Sequence, residues 1–318
     1  MSIDPRIAAF ADSHLLLLDP ELEPFDVVSL LRNIRPSLPA GELLQGENGA
    51  RSYRMSRYSQ LVGPFPVDPQ MAEALSLPRD ASSLFALECP RDREPVPPPS
   101  WLPDIDGLVS AFPAGLPCRE EGRVLDEVIA VARRLRLAVR LAEESSLGAR
   151  VLRPDTETHP NLFVYSENWL QPQVLLTQVA SVAPQVRWPR PPSPLEAARG
   201  RELGAGDGPV ELDGYAIEVP LTDQLGPRAG FIEIQVGLEE HIPTALRDHV
   251  SGSQVAYTLR WVDTDNRGRF ADIDDELRAI RTEAIGTLER CAAAIITAVG
   301  GAGVDESGFL VSAQQLRE

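Results

Sequence analysis

The most suggestive spacing of chemically active side chains lies in an acidic loop near the C-terminus. Asp263, Asp265, Gly268 and Asp274 occupy the first, third, sixth and twelfth positions of one segment. Calcium loops place oxygen ligands at the first, third and twelfth positions around a sharp glycine turn, because a hard cation needs several oxygens. The pattern makes Asp263, Asp265 and Asp274 candidate metal ligands and Ca²⁺ the candidate cofactor.

Other features of this loop favour a site without a metal. Arg267 stands at the fifth position, where a ligand belongs, and the twelfth residue is Asp rather than Glu. The loop also follows a strand-like stretch, whereas a calcium loop follows a helix. We therefore favour a polar strand-to-helix connection with no cofactor, in which the carboxylates cap the following helix.

Catalytic motifs are absent from the sequence. His241 and His249, with Glu240 and Asp248 beside them, could form only a weak acid–base group, and no GxSxG or HExxH pattern supports it. The Gly204–Gly208 and Gly300–Gly303 clusters do not connect a strand to a helix N-terminus, as a phosphate loop must. The sequence favours a non-enzymatic protein over an enzyme with an unrecognised site.

Three aromatic residues are candidates for contact with a partner. Trp188 lies in an arm rich in Arg and Pro (VRWPRPPSP), which is typical of an extended docking segment. Tyr257 and Trp261 lie on one side of a predicted strand. That side either forms a binding surface or faces the core, and the core is the commoner place for large aromatic residues.

Charge limits the class of partner. The chain has 30 basic and 47 acidic residues, a net charge of −17, and no lysine. The missing lysine, with abundant Ala, Pro, Gly and Arg, is typical of a high-GC bacterial genome. Nucleic-acid binding is disfavoured, because affinity for phosphate backbones requires clustered basic residues. A basic protein partner is compatible with this acidity.

Hydropathy and cysteine content predict a cytoplasmic protein. No apolar run reaches the ~20 residues that a membrane helix needs. The N-terminus lacks the basic start and apolar core of a signal peptide. Cys89, Cys118 and Cys291 show neither a disulfide framework nor zinc-ligand spacing.

Apolar periodicity predicts alternating strands and helices. Helices are expected over 24–35, 69–77, 120–137, 172–183, 243–249 and 274–299, and strands over 13–19, 52–66, 83–89, 139–152, 161–166, 215–221, 231–238, 255–262 and 303–311. A proline-rich excursion around Trp101 separates the strand at 83–89 from the helix at 120–137.

The order of these elements indicates an internal duplication. Two helices match at a constant offset of 148 residues, with Pro24, Val27, Val28, Leu31, Ile34 and Pro36 falling on Pro172, Leu175, Leu176, Val179, Val182 and Pro184. We predict an α+β fold of two tandem repeats, 1–155 and 156–318, with a flexible Pro/Gly insert at 189–213. Each repeat would be a mostly antiparallel sheet covered by helices, a variant of the ferredoxin-like βαββαβ unit, and the two would pack as a pseudo-dimer. The alternative is an α/β domain followed by an unrelated α+β domain.

From this architecture the sequence predicts a protein-interaction protein. The alternative is a small-ligand or metal sensor, with its site in the cleft between the repeats or at the Asp263 loop.

Overall fold

A computed structural model describes residues 5–45, 49–144, 148–189, 214–247, 250, 254–270 and 272–317. It has an α+β fold with two antiparallel sheets, of seven and six strands, which confirms the predicted fold class. The helices are α1 Pro5–Ala11, α2 Pro24–Ile34, α3 Pro69–Ala74, α4 Leu108–Ala111, α5 Arg119–Leu135, α6 Pro172–Ala180, α7 Thr222–Leu225 and α8 Asp275–Val299. The strands are β1 His14–Leu18, β2 Glu42–Leu43, β3 Arg51–Arg54, β4 Gln60–Pro66, β5 Ser83–Glu88, β6 Ala138–Glu144, β7 Gly148–Leu152, β8 Leu162–Ser166, β9 Gly214–Pro220, β10 Phe231–Glu239, β11 Gln254–Val262, β12 Ala302–Asp305 and β13 Leu310–Val311.

The chain divides into two compact units. Unit 1 comprises Met1–Thr158 with Arg269–Asp272, and unit 2 comprises His159–Gly268 with Ile273–Glu318. The predicted insert at 189–213 lies, apart from Pro189, outside the described residues. No helix in the described ranges has the length and apolar character that crossing a bilayer requires.

Unit 1 contains the seven-stranded sheet, in the order β2-β3-β4-β5-β1-β6-β7. All five residues of β1 are buried, so both faces of the sheet are covered at its centre. One face carries Leu15 and Leu17 against Ile7 and Phe10 of α1 and Met71 of α3. Because side chains alternate along a strand, Leu16 and Leu18 point to the opposite face, where α5 packs.

Unit 2 contains the six-stranded sheet, in the order β13-β12-β8-β11-β10-β9. The long helix α8 packs against β8, β11 and β12. The alternating residues Ile232, Ile234 and Val236 of β10 are buried. On the other face of β8, Tyr165 packs with Leu246 and Val304 in a small cluster.

Short helices were harder to predict than long ones. The α-helix expected over 243–249 is a single 3₁₀ turn, Thr244–Leu246, within the part of this segment that the structure describes. A helix this short gains too little cooperative hydrogen bonding to be stable by itself, and Leu246 is its only buried side chain. The helix α1 was not predicted.

Candidate functional site

The acidic loop of unit 2 closes around an arginine. The guanidinium of Arg228 donates from Nε to Asp265 Oδ2 at 2.8 Å and from Nη2 to Asp274 Oδ2 at 2.9 Å. Its Nη1 donates to Glu276 Oε2 at 2.9 Å. The hydrogen bonds that Asp274 accepts from Arg228 and from the Leu277 amide lower its pKa to about 2. Arg228 therefore supplies the positive charge that the loop would otherwise take from a cation.

The third candidate ligand, Asp263, points elsewhere. Its Oδ2 accepts a hydrogen bond from the Arg267 amide at 3.0 Å. Asp274 caps α8, because its Oδ1 accepts from the Leu277 amide at 2.8 Å. Gly268 is required by packing, since a Cβ there would collide with the ring of Trp261. Within the described ranges no three His, Cys, Asp or Glu side chains are grouped to hold a metal ion.

The three candidate partner-binding aromatics lie in different environments. Tyr257 is 0 % exposed, and its hydroxyl donates to Asn168 O at 2.7 Å and accepts from the Leu170 amide at 2.9 Å. Trp261 is also buried and donates from Nε1 to Ala229 O at 2.8 Å. Both side chains belong to the core of unit 2 and cannot touch a partner without rearrangement. Trp188 is 46 % exposed and remains available.

Only part of the histidine group lies in the described residues. His241 is exposed, and its Nδ1 lies 3.5 Å from Glu239 rather than beside Glu240. His249 and Asp248 lie outside the described residues.

A more developed feature is the segment between β5 and α5, residues 90–117, which we call the excursion. Connections longer than about 12–15 residues with little secondary structure of their own are uncommon and are often functional. Its two ends are held together: the Glu94 amide donates to Leu116 O at 2.8 Å, and the Cys118 amide donates to Asp92 O at 2.9 Å. Gly115 allows this closure, because a Cβ there would collide with the Glu94 carbonyl oxygen.

A buried carboxylate anchors the excursion to the sheet. Glu121 of α5 is 0 % exposed and accepts hydrogen bonds from the Asp92 amide at 2.7 Å, from His14 Nε2 at 2.9 Å and from Arg93. The ring of His14 is fixed in turn, because its Nδ1 accepts from the Ala142 amide at 3.2 Å. The guanidinium of Arg93 stacks 4.3 Å above the centre of the buried Phe112 ring.

The protonation of this cluster follows from its burial and its hydrogen bonds. Burial alone would raise the pKa of Glu121, but the hydrogen bonds from His14, Asp92 and Arg93 outweigh it and lower that pKa. Burial lowers the pKa of His14, so its ring is neutral and donates its Nε2 proton to the carboxylate. Burial raises the pKa of the nearby Cys89 thiol to about 11, which keeps it protonated. His14 and Glu121 are both closed to solvent, and the hydrogen bond from the Asp92 amide holds the start of the excursion to this buried pair.

The outer part of the excursion is apolar and open to solvent. Trp101 is 77 % exposed, and Val96 is also exposed. They lie in a run, residues 95–117, that contains seven prolines, four before the tryptophan and three after it. Proline fixes one backbone dihedral angle, so such a segment loses little conformational entropy when it binds.

Beneath the excursion lies a cavity of about 250 Å³, bounded by the segment 102–109, by Leu116 and Pro117, and by Leu125 and Asp126 of α5. A second depression, of about 300 Å³, lies beside the β3–β4 turn and is mostly polar. There the hydroxyls of Ser56 and Ser59 each donate to Glu120 at 2.5 Å, so the turn satisfies its own polar groups.

Sequence reasoning identified the excursion only as a proline-rich stretch around Trp101. Its length was a usable signal of function, since few compact domains carry such a connection without a role for it. The anchor gave no local signal, because His14 and Glu121 are 107 residues apart. The chain matches no known protein family, no curated protein and no solved structure.

Proposed function

We propose that this chain is a non-enzymatic protein-interaction protein and that the excursion is the element that contacts its partner. The observation that carries the proposal is the exposure of Trp101, at 77 %, on a segment whose ends are pinned to a buried carboxylate. Tryptophan contributes strongly at interfaces because its large ring buries much apolar area at a small entropic cost.

A basic partner is the complement that the charges favour. The whole chain has a net charge of −17. The excursion itself includes the carboxylates of Glu94, Asp104 and Asp106. Opposite charges across an interface accelerate association and exclude wrong partners. We therefore expect a partner with a basic surface surrounding a hydrophobic pocket for Trp101.

The scaffold, we further propose, arose by duplication of one ferredoxin-like unit. Supporting this, β1 and β8 begin 148 residues apart, at His14 and Leu162, and α2 and α6 begin 148 residues apart, at Pro24 and Pro172. Across its sheet, unit 1 has the strands β3-β4-β5-β1-β6-β7 side by side, and unit 2 has β9-β10-β11-β8-β12-β13. Pairing the two sets strand by strand also preserves the order of the strands along the chain within each unit. The inner four strands of each follow the 4-1-3-2 order of a βαββαβ unit. Pseudo-dimeric packing of the two copies remains part of this proposal.

The test is affinity capture from a lysate of the source cell with three baits: the unaltered chain, Trp101→Ala and Phe25→Ala. Phe25 is a matched control, because it is an aromatic residue of unit 1 that is 66 % exposed but lies on α2. We expect a basic protein that the unaltered chain and Phe25→Ala retain and that Trp101→Ala loses at least about tenfold, the loss typical of an interface hot spot. Because the attraction is electrostatic in part, added salt should also reduce its recovery.

The proposal fails if all three baits recover the same proteins in equal amounts. Circular dichroism of the Trp101→Ala bait must match that of the unaltered chain, so that a loss of partner is not a loss of fold.

A further inference from the structure

We propose that the cavity beneath the excursion is a binding site for a protonated amine or guanidinium carried on a short apolar stem. This inference does not depend on partner binding by Trp101, because the cavity lies under the excursion and ligand binding there is measured on the isolated protein.

The walls of the cavity are suited to an apolar stem. They are formed by the apolar side chains of Leu102, Pro103, Ile105, Leu108, Leu116 and Leu125. A volume of about 250 Å³ corresponds to the liquid volume of about eight water molecules, which is the size of a small organic molecule or one long side chain. Apolar pockets with a few convergent polar groups are the usual form of small-ligand sites.

The carboxylates around the cavity supply the charge that a cation would meet. Asp104 is engaged, since its oxygens accept from the Val109 and Ser110 amides at 3.1 and 2.9 Å. Asp106 is engaged by Arg133, whose Nη2 lies 2.7 Å from its Oδ2.

Asp126 differs from Asp104 and Asp106. It is an exposed residue at the rim of the cavity, and it has no hydrogen bond or ion pair with any residue that the structure describes. The rim of the cavity carries excess negative charge, because three carboxylates face only one guanidinium there. The groups are Asp104, Asp106, Asp126 and Arg133. A ligand cation beside Asp126 would neutralise part of that excess while its stem occupies the apolar space.

The protonation of Asp126 agrees with this geometry. Partial desolvation and the negative charge of Asp106 raise the pKa of its carboxyl to about 6, against the lowering effect of Arg133. A carboxylate raised in this way gains from any positive charge that approaches it, because an opposite charge stabilises the ionised form.

The ligand could be a free amine or a basic side chain of another protein, which share this chemistry. Phenethylamine and the neutral 2-phenylethanol, titrated by calorimetry into the full chain at pH 7.5, test the requirement for charge. A capped tripeptide with a central lysine, titrated in the same way, tests whether a side chain fits. Binding of phenethylamine alone assigns the site to small amines, and binding of the peptide assigns it to a basic side chain.

Two variants test the position of the site. Asp126→Asn should weaken phenethylamine binding about tenfold, the usual loss when a hydrogen bond to a charged group is removed. Asp12→Asn is the matched control, because Asp12 is an exposed aspartate of unit 1 outside the cavity, and it should leave binding unchanged. Ile105→Phe should weaken binding of the amine by filling the cavity.

Equal affinity for phenethylamine and 2-phenylethanol would overturn the proposal. Equal weakening of phenethylamine binding by Asp126→Asn and Asp12→Asn would also overturn it, because it would indicate attraction to an acidic surface in general. The proposal also fails if no probe binds the unaltered chain. Asp126 makes no bond that the fold depends on, so Asp126→Asn is expected to unfold at the same temperature as the unaltered chain, which a thermal melt checks.

Discussion

Glu121 brings three parts of the chain together at one buried carboxylate. Its partners are a strand residue, His14, and two excursion residues, Asp92 and Arg93. A buried charge is costly to desolvate, and it is tolerated only when its lone pairs are satisfied by good hydrogen bonds. Removing the charge therefore leaves Arg93 facing a partly buried space without its counter-ion.

We expect Glu121→Gln to lower the free energy of unfolding by about 2–4 kcal/mol, since breaking one side of a buried ion pair is strongly destabilising. Urea denaturation measures this loss. Amide hydrogen exchange should also show faster exchange at Asp92 and Glu94, because the excursion loses its anchor.

A matched control lies on the same helix. Glu127 accepts from Arg35 at 2.6 Å, but both side chains are about one fifth exposed. Glu127→Gln should cost less than Glu121→Gln, because water can still reach both partners of this pair, whereas none reaches Glu121. Equal losses for the two variants would contradict the role of Glu121 as an anchor.

At the scale of elements, the helices are stabilised at their ends by residues of quite different kinds. The helix α8 begins after its capping residue Asp274 and ends at Gly300, which has φ 63°. The C-cap of α5 has the same left-handed conformation, but the residue there is Arg136, with φ 58°. A side chain with a Cβ is strained in this region, whereas glycine is not.

Arg136→Gly is therefore expected to raise the free energy of unfolding by up to about 1 kcal/mol, the difference between relieved strain and added chain entropy. Urea denaturation of the full chain checks the sign. In the control Arg32→Gly, the substitution falls inside α2 and should cost about 1 kcal/mol. A destabilising Arg136→Gly would show that its guanidinium matters more than its backbone.

Arg140 shows how two elements of unit 1 are joined. It is fully buried, and its guanidinium donates to Leu75 O at 2.9 Å and to Ala11 O at 3.2 Å, the carboxyl ends of α3 and α1. Cations are favoured there by the helix dipole.

For the molecule as a whole, each unit has a core of its own. Leu15, Leu31 and Val124 of unit 1 and Val164, Leu259 and Leu288 of unit 2 are all fully buried. A unit that buries its own apolar surface can fold by itself, because burial of that surface is the main favourable term.

Residues 1–158 and 159–318, expressed separately, are each expected to unfold cooperatively in urea. The dependence of unfolding free energy on urea should be about half that of the full chain for each piece, because it scales with the surface exposed. Near-ultraviolet circular dichroism checks for fixed packing. A piece without a cooperative transition would contradict the independence of its core.

The sequence by itself determined the local elements. Apolar residues at helical spacing located α2, α5 and α8, and alternating residues located β10 and β11, because these patterns depend only on neighbours along the chain. It also predicted that the carboxylates of the acidic loop cap the following helix, and Asp274 does so by accepting from the Leu277 amide.

Tertiary structure decided the contacts between residues distant in sequence. Arg228 reaches Asp274 across 46 residues, and His14 reaches Glu121 across 107. It also decided which face of β11 is buried, and Tyr257 and Trp261 lie on that buried face. A strand's alternation distinguishes its two faces, but only the elements packed against it determine which one meets solvent.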